Sequence, residues 1–459
     1  MNLERYVRHH ILAGRNTVAV DSAAGLVDQV EQELLGLGRK LVTPRSRAEV
    51  ETPVQLPLPF RVKSSAGELM LLDVDYRSLL EVVMRATTPS ELWLAIAKRR
   101  VYNRDELDEL LQAVPWRAYF NEGADLLVRA DSRSSSLYHE GLIEERVEAC
   151  LAKEGIAAHR SSGTDETLLR LRLRVIREQL TAEIAFGGLP LWRRGYRASM
   201  TATAPLREDL AQGAVRAALG EAALPVDFLL IPFAGSGTLL FESLIALLDI
   251  PPALLGRPYA FERFAFGAPP STGWARRKLR AEFAKRCADS FERGAVLPAL
   301  LIDRNEKAVA GARRNWERFS SLLEREIGEP EGEAAAHLLK LPVKTEISIG
   351  DAFAHPWERF VPRKCRSLFL PLNPPYGLRL KTNPTFYQQI GRWCEELARS
   401  CRTPPVQRKM RGFVLCPDEV TWRSFLRETP GLQKRTTHFG QGGVDVRLCV
   451  FSNEAPGGM

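Results

Sequence analysis

Apolar and polar positions alternate in two rhythms along the chain. In the first half, Leu26, Val27, Val30, Leu34 and Leu37 recur near helical spacing, and Gly36 and Gly38 close the run. A helix is therefore expected from Asp21 to Gly38. The proline-rich residues 51–60 read as irregular chain or a sheet edge. Leu69 to Val74 and a helix from Tyr76 to Met84 follow, then an arginine-tipped segment over Trp93–Val101 and a helix from Asp105 to Val114 that Pro115 ends. A strand within Phe120–Asp131, a helix from Leu137 to Glu154, and strands Leu168–Ile176 and Leu180–Phe186 complete a small α+β unit ending near residue 190.

The rhythm then becomes strand, turn, helix, strand. Val226–Ile231, Leu297–Asp303, Thr345–Gly350, Ser367–Leu372 and Arg411–Pro417 read as short buried strands. Helices are expected over Leu239–Leu248 and Val309–Phe319. Thr436–Phe439 and Val444–Phe451 form a hairpin across Gly440 to Gly443. The pattern predicts a Rossmann-like parallel sheet finished by antiparallel strands. Residues 250–294 and 320–343 read as long insertions, the second exposed and partly mobile.

Composition narrows the partners. The net charge is +8, and of 64 basic residues only 13 are lysine. Arginine pairs bidentately with phosphate and stacks on bases, so the charge fits an anionic partner, although a genome of high GC content raises arginine as well. The seven cysteines are scattered and never in C-x-x-C spacing, which argues against a disulfide framework or zinc site and fits the cytoplasm. No apolar run is long enough to cross a membrane, and MNLERYVRHH lacks the apolar core of a signal peptide.

The chemistry gathers at predicted strand ends, where open α/β sheets bind ligands. Ser367–Leu372 stops at Asn373-Pro374-Pro375-Tyr376. An amino group on a planar base is a poor nucleophile because its lone pair is delocalised. The Asn373 amide oxygen and the Pro374 carbonyl can each accept one of its N–H bonds, and Tyr376 can stack on the base. Pro232, Ala234, Gly235, Ser236, Gly237 and Thr238 form a glycine turn after the first of these strands. It lacks the third glycine of a dinucleotide fingerprint and the lysine of a phosphate loop. Asp303, followed by Arg304, can accept from ribose hydroxyls. Asp351, followed by Ala352 and Phe353, can accept from an adenine amino group. In the first half, Arg133, Ser134 and Ser135 precede a helix and can meet a phosphate, although a plain capping loop has the same composition. Trp192, Arg193, Arg194, Tyr196 and Arg197 mix aromatic and basic residues, a surface suited to RNA or equally a tail strand.

The Asn-Pro-Pro-Tyr signature resembles that of S-adenosylmethionine-dependent amino methyltransferases, whose substrates include DNA adenine, RNA guanine and protein glutamine. The wider resemblance is to bacterial THUMP-domain methyltransferases acting on guanine N2 of large-subunit ribosomal RNA. It rests on AGLVDQVEQELLGLG, VPWRAYFNEGADLLVRADSRSSSLYHEGLIEERV, LWRRGYR with APLREDLA, PFAGSGTLLFES, DRNEKAVAGARRN and NPPYGLRL. It implies an N-terminal ferredoxin-like region over residues 1–104, a THUMP RNA-binding domain over 105–190 and a class I methyltransferase domain over 191–459. By resemblance, Gly235, Gly237, Asp303 and Asp351 bind S-adenosylmethionine, Asn373 to Tyr376 hold guanine, and Arg379 is retained from the family pattern. No metal is implied. Two positions depart from the family: Ile231 and Leu378 stand where acids are usual. Two other readings stay open, a DNA or protein amino methyltransferase and an RNA-binding assembly factor with a decayed pocket.

Overall fold

Strand-forming runs build one sheet in each half of the chain. The computed structural model describes residues 2–41, 60–65, 69–160, 169–197, 206–220, 225–267, 270–328, 340–375, 383–403, 407–441 and 444–454. The chain divides into two units. One comprises Met1–Ser22, Glu31–Arg193 and Arg257–Lys278; the other comprises Ala23–Val30, Arg194–Gly256 and Leu279–Met459.

The first unit is built on an eight-stranded sheet of β1 (Arg15–Asp21), β2 (Phe60–Ser65), β3 (Leu69–Asp75), β4 (Glu91–Arg100), β5 (Asp125–Arg133), β6 (Ala157–His159), β7 (Arg170–Ile176) and β8 (Gln179–Ala185). Its order is β2-β3-β1-β4-β8-β7-β5-β6. β5 runs parallel to β6 and β7, and the other pairs are antiparallel. Alternation places Leu171, Leu173 and Val175 in the core while Arg170, Arg172 and Arg174 take the opposite face. The helix Glu140–Lys153 buries Ile143, Val147 and Leu151, one residue per turn. Asp75 and Asn103 cap the helices Tyr76–Arg85 and Arg104–Ala113.

Three features differ from the sequence expectation. β1 was not anticipated, and the following helix runs from Val27 to Leu41. Leu137 to His139 precede the helix Glu140–Lys153. The boundary at residue 104 falls within one sheet, because β4 pairs with β8 from Trp93↔Ala185 to Arg100↔Gln179. The proline-rich residues 51–59 lie outside the described residues.

The second unit carries β9 (Phe228–Pro232), β10 (Leu297–Asp303), β11 (Val343–Ile349), β12 (Ser367–Leu372), β13 (Lys409–Cys416), β14 (Gln433–Gln441) and β15 (Val444–Ser452), in the order β11-β10-β9-β12-β13-β15-β14. β9 to β13 are parallel, and β15 pairs antiparallel with both β13 and β14. Every residue of β9 is buried, as expected for a parallel strand covered on both faces. The strand order reverses between β9 and β12, the point where a crevice opens at the carboxyl ends of such a sheet.

The first insertion holds the helix Pro270–Glu292, and the helix after β10 extends from Glu306 to Gly328. Two further helices, Pro384–Arg402 and Glu419–Arg427, were not anticipated.

Candidate active site

The turn after β9 is shaped by backbone geometry. Gly235 and Gly237 have φ of 53° and 90°, values that favour glycine. A Cβ on Gly237 would lie 2.9 Å from the Phe241 ring, so a side chain at this start of the helix Thr238–Leu247 would crowd that ring. Phe233 also has a positive φ, 59°, a strained conformation for a bulky residue. Its ring packs against Phe353 and Phe386 at centroid distances of 5.8 and 5.5 Å. Such strain persists where surrounding packing over-determines it, and it gathers at ligand sites.

Asp303, at the end of β10, holds this turn. One carboxylate oxygen accepts the Gly235 N–H at 2.8 Å and the other accepts the Asn305 N–H at 2.8 Å. Each oxygen keeps a further lone pair for a ligand hydroxyl. After β11, Asp351 accepts the Phe353 N–H at 3.0 Å and pairs with Arg304, whose side chain is otherwise exposed. Slight burial works to raise the Asp351 pKa, but the Arg304 hydrogen bond and the Phe353 N–H outweigh it and hold the carboxyl below its ordinary value. Pro232, Ala234 and Ala352 are buried, and Ser236 is half-buried.

Asn373 follows β12 directly. Its Oδ1 is buried and accepts no hydrogen bond among the described residues. Buried polar atoms are nearly always paired, so an open acceptor at this strand end suits an incoming donor. Pro374 is buried and Pro375 exposed. Tyr376, Leu378 and Arg379 lie outside the described residues. Ile231 is fully buried within the apolar core of β9.

The segment expected to touch RNA divides. Trp192 and Arg193 are half-buried, with the guanidinium 5.5 Å from the indole centroid. Arg194 and Tyr196 are corrected: both are buried, so neither presents a surface to RNA. Arg194 pairs with Glu242 at 3.4 Å, and the Tyr196 hydroxyl donates to the same carboxylate at 3.1 Å. Burial raises the Glu242 pKa to about 7 against the pull of Arg194. Arg197 donates to Glu208 at 2.5 Å, to Thr238 Oγ1 at 3.0 Å and to Ser236 Oγ at 3.4 Å. It holds the glycine turn rather than facing solvent. Arg133 is exposed beside Asp131. Ser134 has φ 53°, and Ser135 Oγ donates to the Arg133 carbonyl while accepting the Glu178 N–H.

Sequence reasoning missed the Arg197 clamp and the Phe233–Phe353–Phe386 cluster. Glu242, a lone acid within the apolar run Leu239–Leu248, was the available signal for a buried cation nearby.

The parallel sheet, its antiparallel close, and the ligand-ready ends of β9, β10 and β12 define a class I methyltransferase fold. Residues 194–329 match the family model described as RMKL-like, methyltransferase domain. The chain is 25% identical over 393 residues to the ribosomal RNA large subunit methyltransferase K/L of Marinomonas sp., covering 83% of this chain and 48% of the relative. It thus spans about half the length of that curated relative, and less of others. Two solved structures share the fold. A possible methylase from Clostridium difficile 630 has a TM-score of 0.65 at 18% identity, covering 96% of this chain and 99% of the other. SMU.472, described as "a putative methyltransferase complexed with SAH", has a TM-score of 0.63 at 17% identity, covering 96% of this chain and 99% of that one.

Proposed function

We propose that this chain is an S-adenosylmethionine-dependent RNA methyltransferase that acts on the 2-amino group of a guanine in large-subunit ribosomal RNA. The observation that carries the reading is the buried Asn373 Oδ1 at the carboxyl end of β12, which accepts no hydrogen bond among the described residues. The relative from Marinomonas and the SAH complex of SMU.472 support the substrate and the cofactor respectively.

The residues fit the cofactor. The turn Pro232 to Thr238 gives close backbone approach, Asp303 offers lone pairs to a ribose, and Asp351 offers one to an adenine amino group. Bound there, S-adenosylmethionine supplies an electrophilic methyl group. Asn373 Oδ1 and the Pro374 carbonyl accept the two N–H bonds of the guanine amino group, and this localises its lone pair. That lone pair would take the methyl group the cofactor supplies, sulfur keeping the S–C electron pair, and the excess proton on nitrogen would leave to solvent. Asn373 acts most strongly as positive charge grows on that nitrogen, so its contribution belongs to the transition state.

Tyr376 stacks on the base, and Arg379 contacts the RNA backbone. Residues 1–193 act as the RNA-guiding region, with Arg133, Ser134, Ser135, Trp192 and Arg193 as contacts and a THUMP-like domain within it. A ribosomal RNA substrate fits a protein of the cytoplasm. The test is Asn373→Ala with tritiated cofactor. Methyl transfer should fall at least about a hundredfold while cofactor affinity stays within about twofold, as loss of a transition-state contact requires. Wild-type turnover in the variant removes Asn373 from the mechanism.

A further inference from the structure

The N-terminal sheet opens into a fork. β1 pairs with β4 only from Val18↔Leu94 to Asp21↔Glu91. Past that point β1 continues along β3 to Arg15↔Asp75, while β4 continues along β8 to Arg100↔Gln179. The β4–β8 register breaks between Ala95 and Ala97, the kind of bulge that bends a strand away from its neighbour. The inner edges of Arg15–Thr17 and Ala95–Lys98 are therefore left without each other as strand partners.

A cavity of about 340 Å³ lies in this fork. Small side chains, Thr17, Ala95, Ala97 and Thr181, hollow its floor. Tyr6 and Tyr119 form one wall, with their hydroxyls 3.2 Å apart and their rings edge to face at 6.4 Å. The His10 ring lies tilted against Tyr6, with centroids 4.7 Å apart. Burial pushes the Tyr119 hydroxyl up, so it stays a neutral donor. Arg15 and Arg174 are already paired with Asp73 and Glu183. Lys98 is exposed, and among the described residues no carboxylate pairs with it.

We propose that this fork is a nucleotide-binding cleft. It takes one unpaired nucleotide, with the base against Tyr6 and Tyr119 and the phosphate at Lys98 and His10. The aromatic wall suits a planar base, which stacks without regard to sequence. Lys98, with no carboxylate partner among the described residues, offers its charge to phosphate. A free mononucleotide and a nucleotide within RNA share this chemistry. The RNA form of the proposal rests on the function proposed above; the cleft itself does not.

The test uses the full chain. Equilibrium dialysis is run with labelled GMP and UMP and, separately, with a single-stranded pentaribonucleotide carrying 5-iodouridine for photocrosslinking. The expected result is saturable binding, crosslinks in peptides containing Tyr6 or Tyr119, and a loss of about tenfold in Lys98→Ala, the size of one charge-assisted contact. Ala97→Leu, which fills the floor, should lower binding comparably. S-adenosylmethionine affinity should not move in either variant, which also reports that each is folded. Tighter binding of the pentamer than of GMP or UMP assigns the cleft to RNA; equal binding assigns it to free nucleotides. No binding of any probe overturns the proposal. So do crosslinks confined elsewhere, or affinities that Lys98→Ala and Ala97→Leu leave unchanged. If the cleft fails while the wild type still methylates ribosomal RNA, the function stands. If the cleft binds nucleotides but no RNA is methylated, the function fails alone.

Discussion

Replacing Arg197 by methionine should uncouple the glycine turn from the segment that precedes it. The Glu208 side chain is only 3% exposed and Arg197 18%. Removing one partner of a buried ion pair leaves an uncompensated charge and costs about 3–5 kcal/mol. Arg197 keeps some contact with water, so the lower end, about 3 kcal/mol, is expected. Thr238 Oγ1 and Ser236 Oγ also lose a charged donor. The turn that Asp303 holds from the other side then loosens, and S-adenosylmethionine affinity should fall about tenfold, the equivalent of one such contact. Urea unfolding should show a lower midpoint with an unchanged slope, and calorimetry should show the weaker cofactor binding. Adding Glu208→Leu should recover most of the stability, because the stranded carboxylate is gone. RNA affinity should stay within about twofold, since Arg197 faces the turn and not solvent. A stability loss below about 1 kcal/mol, or RNA affinity falling more than cofactor affinity, would refute the clamp.

Two further outcomes follow from the same geometry. Asp303→Ala removes a charged acceptor from the Gly235 and Asn305 N–H groups, so cofactor affinity should drop by about 1.5–3 kcal/mol; an affinity within twofold of wild type in calorimetry would show that this strand end does not shape the site. Glu242 has its pKa raised from 4.5 to about 7, so across that window the folded chain holds a proton that the unfolded chain has lost. Stability should therefore fall as pH rises through the window, and Glu242→Gln should flatten that slope in urea midpoints; an unchanged slope would place the titration elsewhere.

Much of the second unit was legible because parallel strands are buried on both faces. Leu297–Asp303 and Ser367–Leu372 are continuous apolar runs with abrupt polar or proline ends, and they form β10 and β12 at those bounds. The acid at 303 and the amide at 373 stand where apolar runs stop, whereas Asp351 follows β11, an alternating and only part-buried edge strand. The first unit was harder. The core of β1 is the short run Val18-Ala19-Val20, which periodicity alone does not separate from a loop. The helix Pro384–Arg402 did carry a signal, Asn383 as cap and Pro384 at its first turn. Arg194 and Tyr196 show a limit of composition: an arginine-aromatic segment reads the same facing RNA or facing a buried acid. The difference lies in Glu242, 48 residues beyond Arg194. The fork between β1 and β4 was also invisible, since a register that stops partway along a strand leaves no local pattern.

The central claim is the reaction itself. The full chain should be incubated with tritiated S-adenosylmethionine and large-subunit ribosomal RNA lacking its natural methyl groups. The RNA is then digested to nucleosides and the labelled product identified. The account predicts label in N2-methylguanosine, absent with Asn373→Ala. Label only in methylated adenine, transfer to duplex DNA in preference to RNA, or no transfer by a chain that binds the cofactor would contradict it.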